Sequence, residues 1–306
     1  MIIDAHAHIM EAVNGQTGTG LTRSLNYGII SWGQQEVRLL PPMPGKTSFP
    51  PEVLLENMDW AGVDKAVLLQ GPFYGEANEY VALAVKRWPE RFIGAAYVDP
   101  WMPDAATQFE TVIASGGFRA VKLECSEATG LCGLYPEARL DAPELNWLWQ
   151  ALEQRGIVLT FDLGAVGSRS YQTGAVRVIA ETYPRLKIVI AHLGQPTAQA
   201  EKDPALWAQW QAQIELGLLS NVWFDSAALI AYLPHEEYPY PTAARYLHLA
   251  LERIGAARIM WGTDQPGTLT HLTYRQYAAL AKKHLAFLSA QEQALVLGEN
   301  ALHVYG

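Results

Sequence analysis

The chain opens on a short apolar pattern, Ile2-Ile3-Asp4-Ala5-His6-Ala7-His8, and then loses any regular period between Asn14 and Pro51. That stretch carries GQTGTG, PPMPG and SFPP. Glycine and proline clusters punctuate turns, and a long segment without a period inside a compact domain reads as a functional loop. From Pro51 onward two patterns alternate. Runs with helical spacing occupy 51–61, 76–88, 104–115, 143–155, 174–183, 203–218, 242–254, 273–288 and 290–304. Several have the punctuation of helices, such as Pro51 at a start and Gly62, Gly116-Gly117 or Gly156 at an end. Strand-length apolar runs fall between them at 63–70, 92–99, 120–125, 157–162, 186–192, 221–226 and 258–264. With the first segment they make eight strands, apolar on both faces as buried parallel strands are.

No linker or shift in composition divides the halves. The pattern predicts an α/β chain: a single closed (β/α)8 TIM barrel domain over 1–306, with a long loop after strand 1 and extra C-terminal helices. An open doubly wound sheet is the competitor. It is disfavoured because the first strand–helix junction lacks a glycine-rich phosphate loop.

Composition then removes classes of partner. Half of the 306 residues are hydrophobic and 17% are charged, which excludes a disordered chain. Asp and Glu number 31 against 22 Lys and Arg, a net charge of −9. A binder of nucleic-acid phosphates is ordinarily basic, so no nucleic-acid partner is expected. The apolar runs are far shorter than the roughly 18 residues of a membrane span, so no membrane partner is expected either. The N-terminus MIIDAHAHIM lacks the flank and core of a secretory signal. Cys125 and Cys132 are too few for a disulfide framework and read as reduced thiols of a cytoplasmic protein.

Barrel chemistry sits at the C-terminal strand ends. The first strand ends in His6-Ala7-His8, and residues i and i+2 of a strand share a face, so both imidazoles can converge on a divalent cation. Two ordinary histidines are the plain alternative. His192 ends the sixth strand in AHLG, and Asp264 ends the eighth in WGTDQP, where a helix cap is its plain alternative. Asp162 ends the fifth in TFDLG. Lys122 and Glu124 share a face of the fourth, either as an ion pair or with Glu124 as a further ligand. Substrate contacts are expected from Arg23, Tyr27, Trp32 and Arg38 in the first loop and from Arg169, whose guanidinium suits a carboxylate. The segment 232–241, with His235, reads as a lid or subunit contact. The Trp-rich helices around 146–152 and 206–213 read as barrel-packing faces, with a homodimer interface as the alternative.

Taken together, IDAHAHI, LLENMDWAGVDKAVLLQ, ERFIGAAYVDP, GGFRAVKL, LKIVIAHLG, NVWFDSA, IMWGTDQP and GENALHVYG make the chain resemble the amidohydrolase superfamily, in its amidohydrolase 2 branch. That branch includes the aminocarboxymuconate-semialdehyde decarboxylase-like enzymes. The resemblance spans essentially the whole chain. It implies a barrel with one divalent metal, usually zinc, held by His6 and His8. Asp264 is implied as a ligand or proton shuttle, and His192 as an acid/base beside the metal-bound water. The family usually has a histidine at the end of strand five, and here Asp162 stands in that register. Asp162 as an oxygen ligand would favour a harder ion such as Mn²⁺; a site that binds metal weakly or not at all, as in metal-free lactonases of the branch, is the other consequence.

The resulting expectation is a metal-dependent hydrolase opening a lactone, amide or C–C bond in a small carboxylated or aromatic substrate. A carboxy-lyase using the same site is the second reading. A metal-free lactonase and a non-catalytic binding barrel follow it.

Overall fold

In the computed structural model, which describes residues 1–232 and 236–306, all eight apolar runs become parallel strands of one sheet. The first is β1 (Ile3–Ala7). The region after it is a four-stranded antiparallel sheet: β2 (Asn14–Thr17), β3 (Gly20–Ser24), β4 (Ile29–Trp32) and β5 (Gln35–Arg38). The barrel continues with β6 (Lys65–Leu68), β7 (Phe92–Tyr97), β8 (Ala120–Glu124), β9 (Val158–Asp162), β10 (Ile188–Ile190), β11 (Val222–Asp225) and β12 (Ile259–Met260). Helices α1 (Pro51–Ala61), α2 (Asn78–Arg87), α3 (Ala105–Gly116), α4 (Leu131–Leu134), α5 (Asn146–Arg155), α6 (Thr173–Thr182), α7 (Pro204–Ile214), α8 (Pro241–Ile254) and α9 (Tyr274–His284) alternate with them. The last strand returns to the first through Ala5 N–H to Trp261 O at 3.0 Å, Asp264 N–H to His6 O at 2.7 Å and His8 N–H to Gln265 O at 2.7 Å.

The expectation of an unstructured loop after strand 1 is corrected here. Strands of four or five residues built from Gly, Thr, Gln and Asn carry no apolar period to read, yet they pair. The small sheet has a use. Asn14 N–H reaches Tyr74 O and Gln16 N–H reaches Pro72 O, both at 2.9 Å, and Thr22 Oγ1 donates to Phe73 O at 2.6 Å. It therefore braces the turn that carries Phe73 and Tyr74. The backbones meet so closely that a Cβ on Gly15 would strike the carbonyl of Pro72.

The lumen is filled by Ile3, Ala5, Val67, Leu69, Ala95, Ala120, Val158, Val189, Trp223 and Met260, closed below by Ala301, Val304 and Tyr305 of the final helix. A packed lumen leaves the C-terminal strand ends as the mouth. The 290–304 segment is two short helices, α10 (Ala290–Ala294) and α11 (Asn300–Tyr305), around a π-helical turn. That turn lets the Val296 carbonyl accept from Trp261 N–H at 2.8 Å. Trp149 and Trp210 are buried, packing edge-on against Phe161 and Tyr246, as expected of packing faces. No described helix is long and apolar enough to cross a membrane.

Candidate metal centre

Strict alternation would send one of β1's functional pairs the wrong way. Ile3 and Ala5 lie in the lumen cluster, whereas Ala7 and Ile9 lie in the outer core. The phase changes because the β1–β6 register slips between Asp4 and Ala7. This bulge turns His6 inward directly after Ala5 and keeps His8 in phase with it. Room for His6 comes from Gly262, where a Cβ would lie 3.0 Å from that of His6.

The bulge is clamped by Asp4, which points outward. Its carboxylate accepts from His6 N–H (3.1 Å), Thr263 N–H (2.9 Å), Thr263 Oγ1 (2.5 Å) and Tyr274 OH (2.9 Å). Burial raises this carboxyl to about 7 despite those four donors. One side chain thus ties the strand bearing both histidines to the segment bearing Asp264.

His6 Nδ1 lies 3.0 Å from Asp225 Oδ2, and His8 Nδ1 lies 2.8 Å from Leu69 O. Both partners only accept, so each Nδ1 carries the proton and each Nε2 presents its lone pair to the mouth. His8 Nε2 is 3.0 Å and His6 Nε2 3.6 Å from Asp264 Oδ1. The three ligand atoms lie within 4.8 Å of one another, a spacing able to hold a metal ion. Burial pushes His6 down to about 4 and lowers His8 as well, which keeps both imidazoles neutral. Burial alone would raise Asp264, but the imidazoles of His8, His6 and His192 around it hold it well below the carboxylate range. Two neutral imidazoles and one carboxylate oxygen fit a divalent cation such as zinc.

The adjoining wall, where the His192 ring lies 4.6 Å from that of His6, is arranged differently. His192 Nε2 lies 3.0 Å from Asp162 Oδ2, and its Nδ1 lies 3.2 Å from Ala227 O. Both partners accept, which favours the imidazolium where the surrounding carboxylates outweigh burial. Burial opposes that charge, but Asp162 outweighs it and holds His192 up to about 10, while Asp162 itself falls well below its ordinary range. Lys122 Nζ stands 3.3 Å from Glu124 Oε2 and 4.0 Å from Asp162 Oδ2. His192 is presented by a left-handed turn, with φ of 59°, 51°, 66° and 41° over His192, Leu193, Gly194 and Gln195. Such backbone costs roughly 1–3 kcal/mol for each non-glycine residue and needs bracing. Trp210 Nε1 donates to Leu193 O at 2.9 Å, and Tyr171 OH to Gly194 O at 2.7 Å.

Above these groups lies a cavity of about 520 Å³, with His8, Lys122, Asp162, His192 and Asp264 in its lining and Tyr74 and Tyr232 beside them. His6, His8, His192, Asp162 and Asp264 all meet at this mouth. Asp162 sits with His192 and Lys122, outside the cluster of converging ligand atoms. Arg23, Trp32 and Arg169 are not among the described lining residues. Arg23 bonds Gly15 O and Thr22 O, Trp32 bonds Thr17 Oγ1, and Arg169 pairs with Glu127 at 2.9 Å. His235 lies outside the described residues. Sequence reasoning passed over Asp225; its signal was a buried acidic residue closing the seventh strand, NVWFD. Asp225 also accepts from His192 N–H at 3.0 Å, so it serves both walls.

A family model described as "Amidohydrolase" matches residues 3–306. The L-fucono-1,5-lactonase of Burkholderia ambifaria is 27% identical over 267 residues, which cover 84% of this chain and 85% of that one. An amidohydrolase from Burkholderia multivorans crystallised with HEPES superposes with a TM-score of 0.74 at 18% identity, covering 100% of this chain and 99% of its own. A second crystal form of it, with zinc bound, gives a TM-score of 0.68 over 84% and 88%. A probable 2-pyrone-4,6-dicarboxylic acid hydrolase from Acinetobacter baumannii, with citric acid bound, gives 0.69 at 17% identity over 100% and 99%.

Proposed function

The chain belongs to the amidohydrolase family, and from that premise we propose that it is a hydrolase of small, polar lactones, built as one domain over 1–306. The observation that carries this reading is the convergence of His6 Nε2, His8 Nε2 and Asp264 Oδ1 beside the His192 imidazolium in one mouth. The lactonase and pyrone-dicarboxylate hydrolase names of its relatives support the substrate class.

His6, His8 and Asp264 would hold the divalent ion, with zinc favoured by the two nitrogen donors. When bound, such an ion polarises an oxygen and acidifies water. The chain's own groups do the rest. Asp264 is ionised, and its side chain is 24% exposed, so it can accept the proton of the attacking water. His192 carries a positive charge beside the cation site and stabilises the developing oxyanion, and Asp264 passes the proton it took from water to the alkoxide released by ring opening. Asp162 keeps that imidazolium charged and oriented. Tyr74 packs against the His8 ring and Tyr232 against the His192 ring, both lining the cavity.

A panel of sugar-acid lactones and carboxylated pyrones, followed by acid release in a pH-stat, tests the reading. Ring opening with release of one acid equivalent per lactone is expected. Release of CO₂ from carboxylated aromatics, with every lactone left intact, would replace it by the carboxy-lyase alternative.

A further inference from the structure

The mouth already contains a cation. Lys122 rises from β8 with its side chain only 3% exposed, so its ammonium cannot swing out to solvent. Its Nζ stands 3.4 Å from His6 Nε2. Because Asp225 holds the His6 proton on Nδ1, that Nε2 has one lone pair, and the ammonium is aimed at it. It is the same lone pair that the cation site requires. One nitrogen cannot serve both, and two cations at this separation repel strongly where water is scarce. From that same position Nζ stands 3.3 Å from Glu124 Oε2 and 4.0 Å from Asp162 Oδ2, so these two carboxylates hold the ammonium from the side away from His6.

We propose that Lys122 is a built-in competitor of the divalent ion for His6, so that metal occupancy is set by whether its ammonium sits on His6 Nε2 or withdraws onto Glu124 and Asp162. The inference rests on the reading of His6, His8 and Asp264 as the cation site. It gives the departure at Asp162 a function. A histidine there would remove one of the two carboxylates nearest Lys122, whereas the acidic residue widens the seat into which the lysine retreats. The protein is then a weak metal binder by construction, whose ligands are complete but guarded.

Zinc affinity, measured with zinc alone by competition against a chromophoric chelator, tests this without any assay of activity. The K122M variant should bind zinc about tenfold more tightly or better, in the range by which groups around a metal site tune its affinity. K122R, which keeps the charge, should stay near the parent chain. Circular dichroism checks each fold, and K122Q replaces K122M if the latter fails to fold. If D264N abolishes zinc binding while both neutral variants bind no tighter than the parent, Lys122 is no competitor and the proposal falls although the cation site stands. Weaker binding in the neutral variants would overturn it too, by making the lysine a helper. Zinc binding that ignores D264N would remove the cation-site reading, and this proposal with it.

Discussion

The two walls of the mouth use the same residue types to opposite ends. On the seam between β1 and the segment after β12, the imidazoles of His6 and His8 are neutral, each tied at Nδ1 and facing Asp264 with Nε2. Beside them, with its ring centroid 4.6 Å from that of His6, the imidazole of His192 is charged and tied at both nitrogens. Burial is nearly complete for all three, so desolvation does not separate them. Their partners do. The Lys122 ammonium adds to burial in keeping His6 and His8 neutral, whereas Asp162, Asp264 and Asp225 together outweigh burial at His192. Residue type therefore says little about whether a histidine is a ligand or an acid; the charges around each ring decide it.

The sharpest way to break the comparison is to attack the neutral wall. Asp264→Asn should lower lactone opening on the order of 10³-fold and abolish zinc binding. A variant that kept both would show the two walls to be equivalent. Next comes the paired wall. His192→Gln should cost about 10²-fold in kcat through loss of its charge at the oxyanion, with zinc affinity kept; loss of zinc in this variant would make His192 a ligand instead. A smaller effect is expected from the residue that links the walls. Asp225→Asn no longer fixes the His6 proton on Nδ1, and zinc affinity should fall roughly 10–100-fold while the fold persists. Calorimetric metal titration reads that change directly. Gly194→Ala is expected to act on stability. It places a Cβ at φ 66°, against the Gln213 carboxamide and the Tyr171 hydroxyl, and should cost roughly 1–3 kcal/mol in a denaturant titration. An unchanged midpoint would show that the left-handed turn is not held under strain.

Much of this architecture was legible in the chain. The eight apolar runs are buried on both faces, and such strands announce themselves without any partner. Polar residues that close them, His6, His8, Asp162, His192 and Asp264, stand out against that background and do meet at the mouth. The region 14–38 was not legible, since its short strands are specified by pairing and by contacts to the 71–75 turn rather than by an apolar period. Arg23 and Trp32 looked like substrate contacts because they lie in the longest insertion, yet their polar atoms are spent inside the small sheet.

The roles of the site residues divide the same way. Spacing alone brings His6 and His8 to one face, and the barrel order alone brings Asp264 beside them. Which nitrogen each histidine offers depends on Asp225, 219 residues away from His6, and on a backbone carbonyl at Leu69. The inward aim of His6 depends on a bulge, which exists only as a slip between two strands. Lys122 and Asp162 carry opposite charges whose seats are set by strands β8 and β9 lying in register, Glu124 beside Asp162. Sequence by itself determined the barrel and the inventory of chemical groups, because burial patterns and residue types are local properties. Only the tertiary structure decided protonation, pairing and access, because each of those is a relation between atoms on different strands.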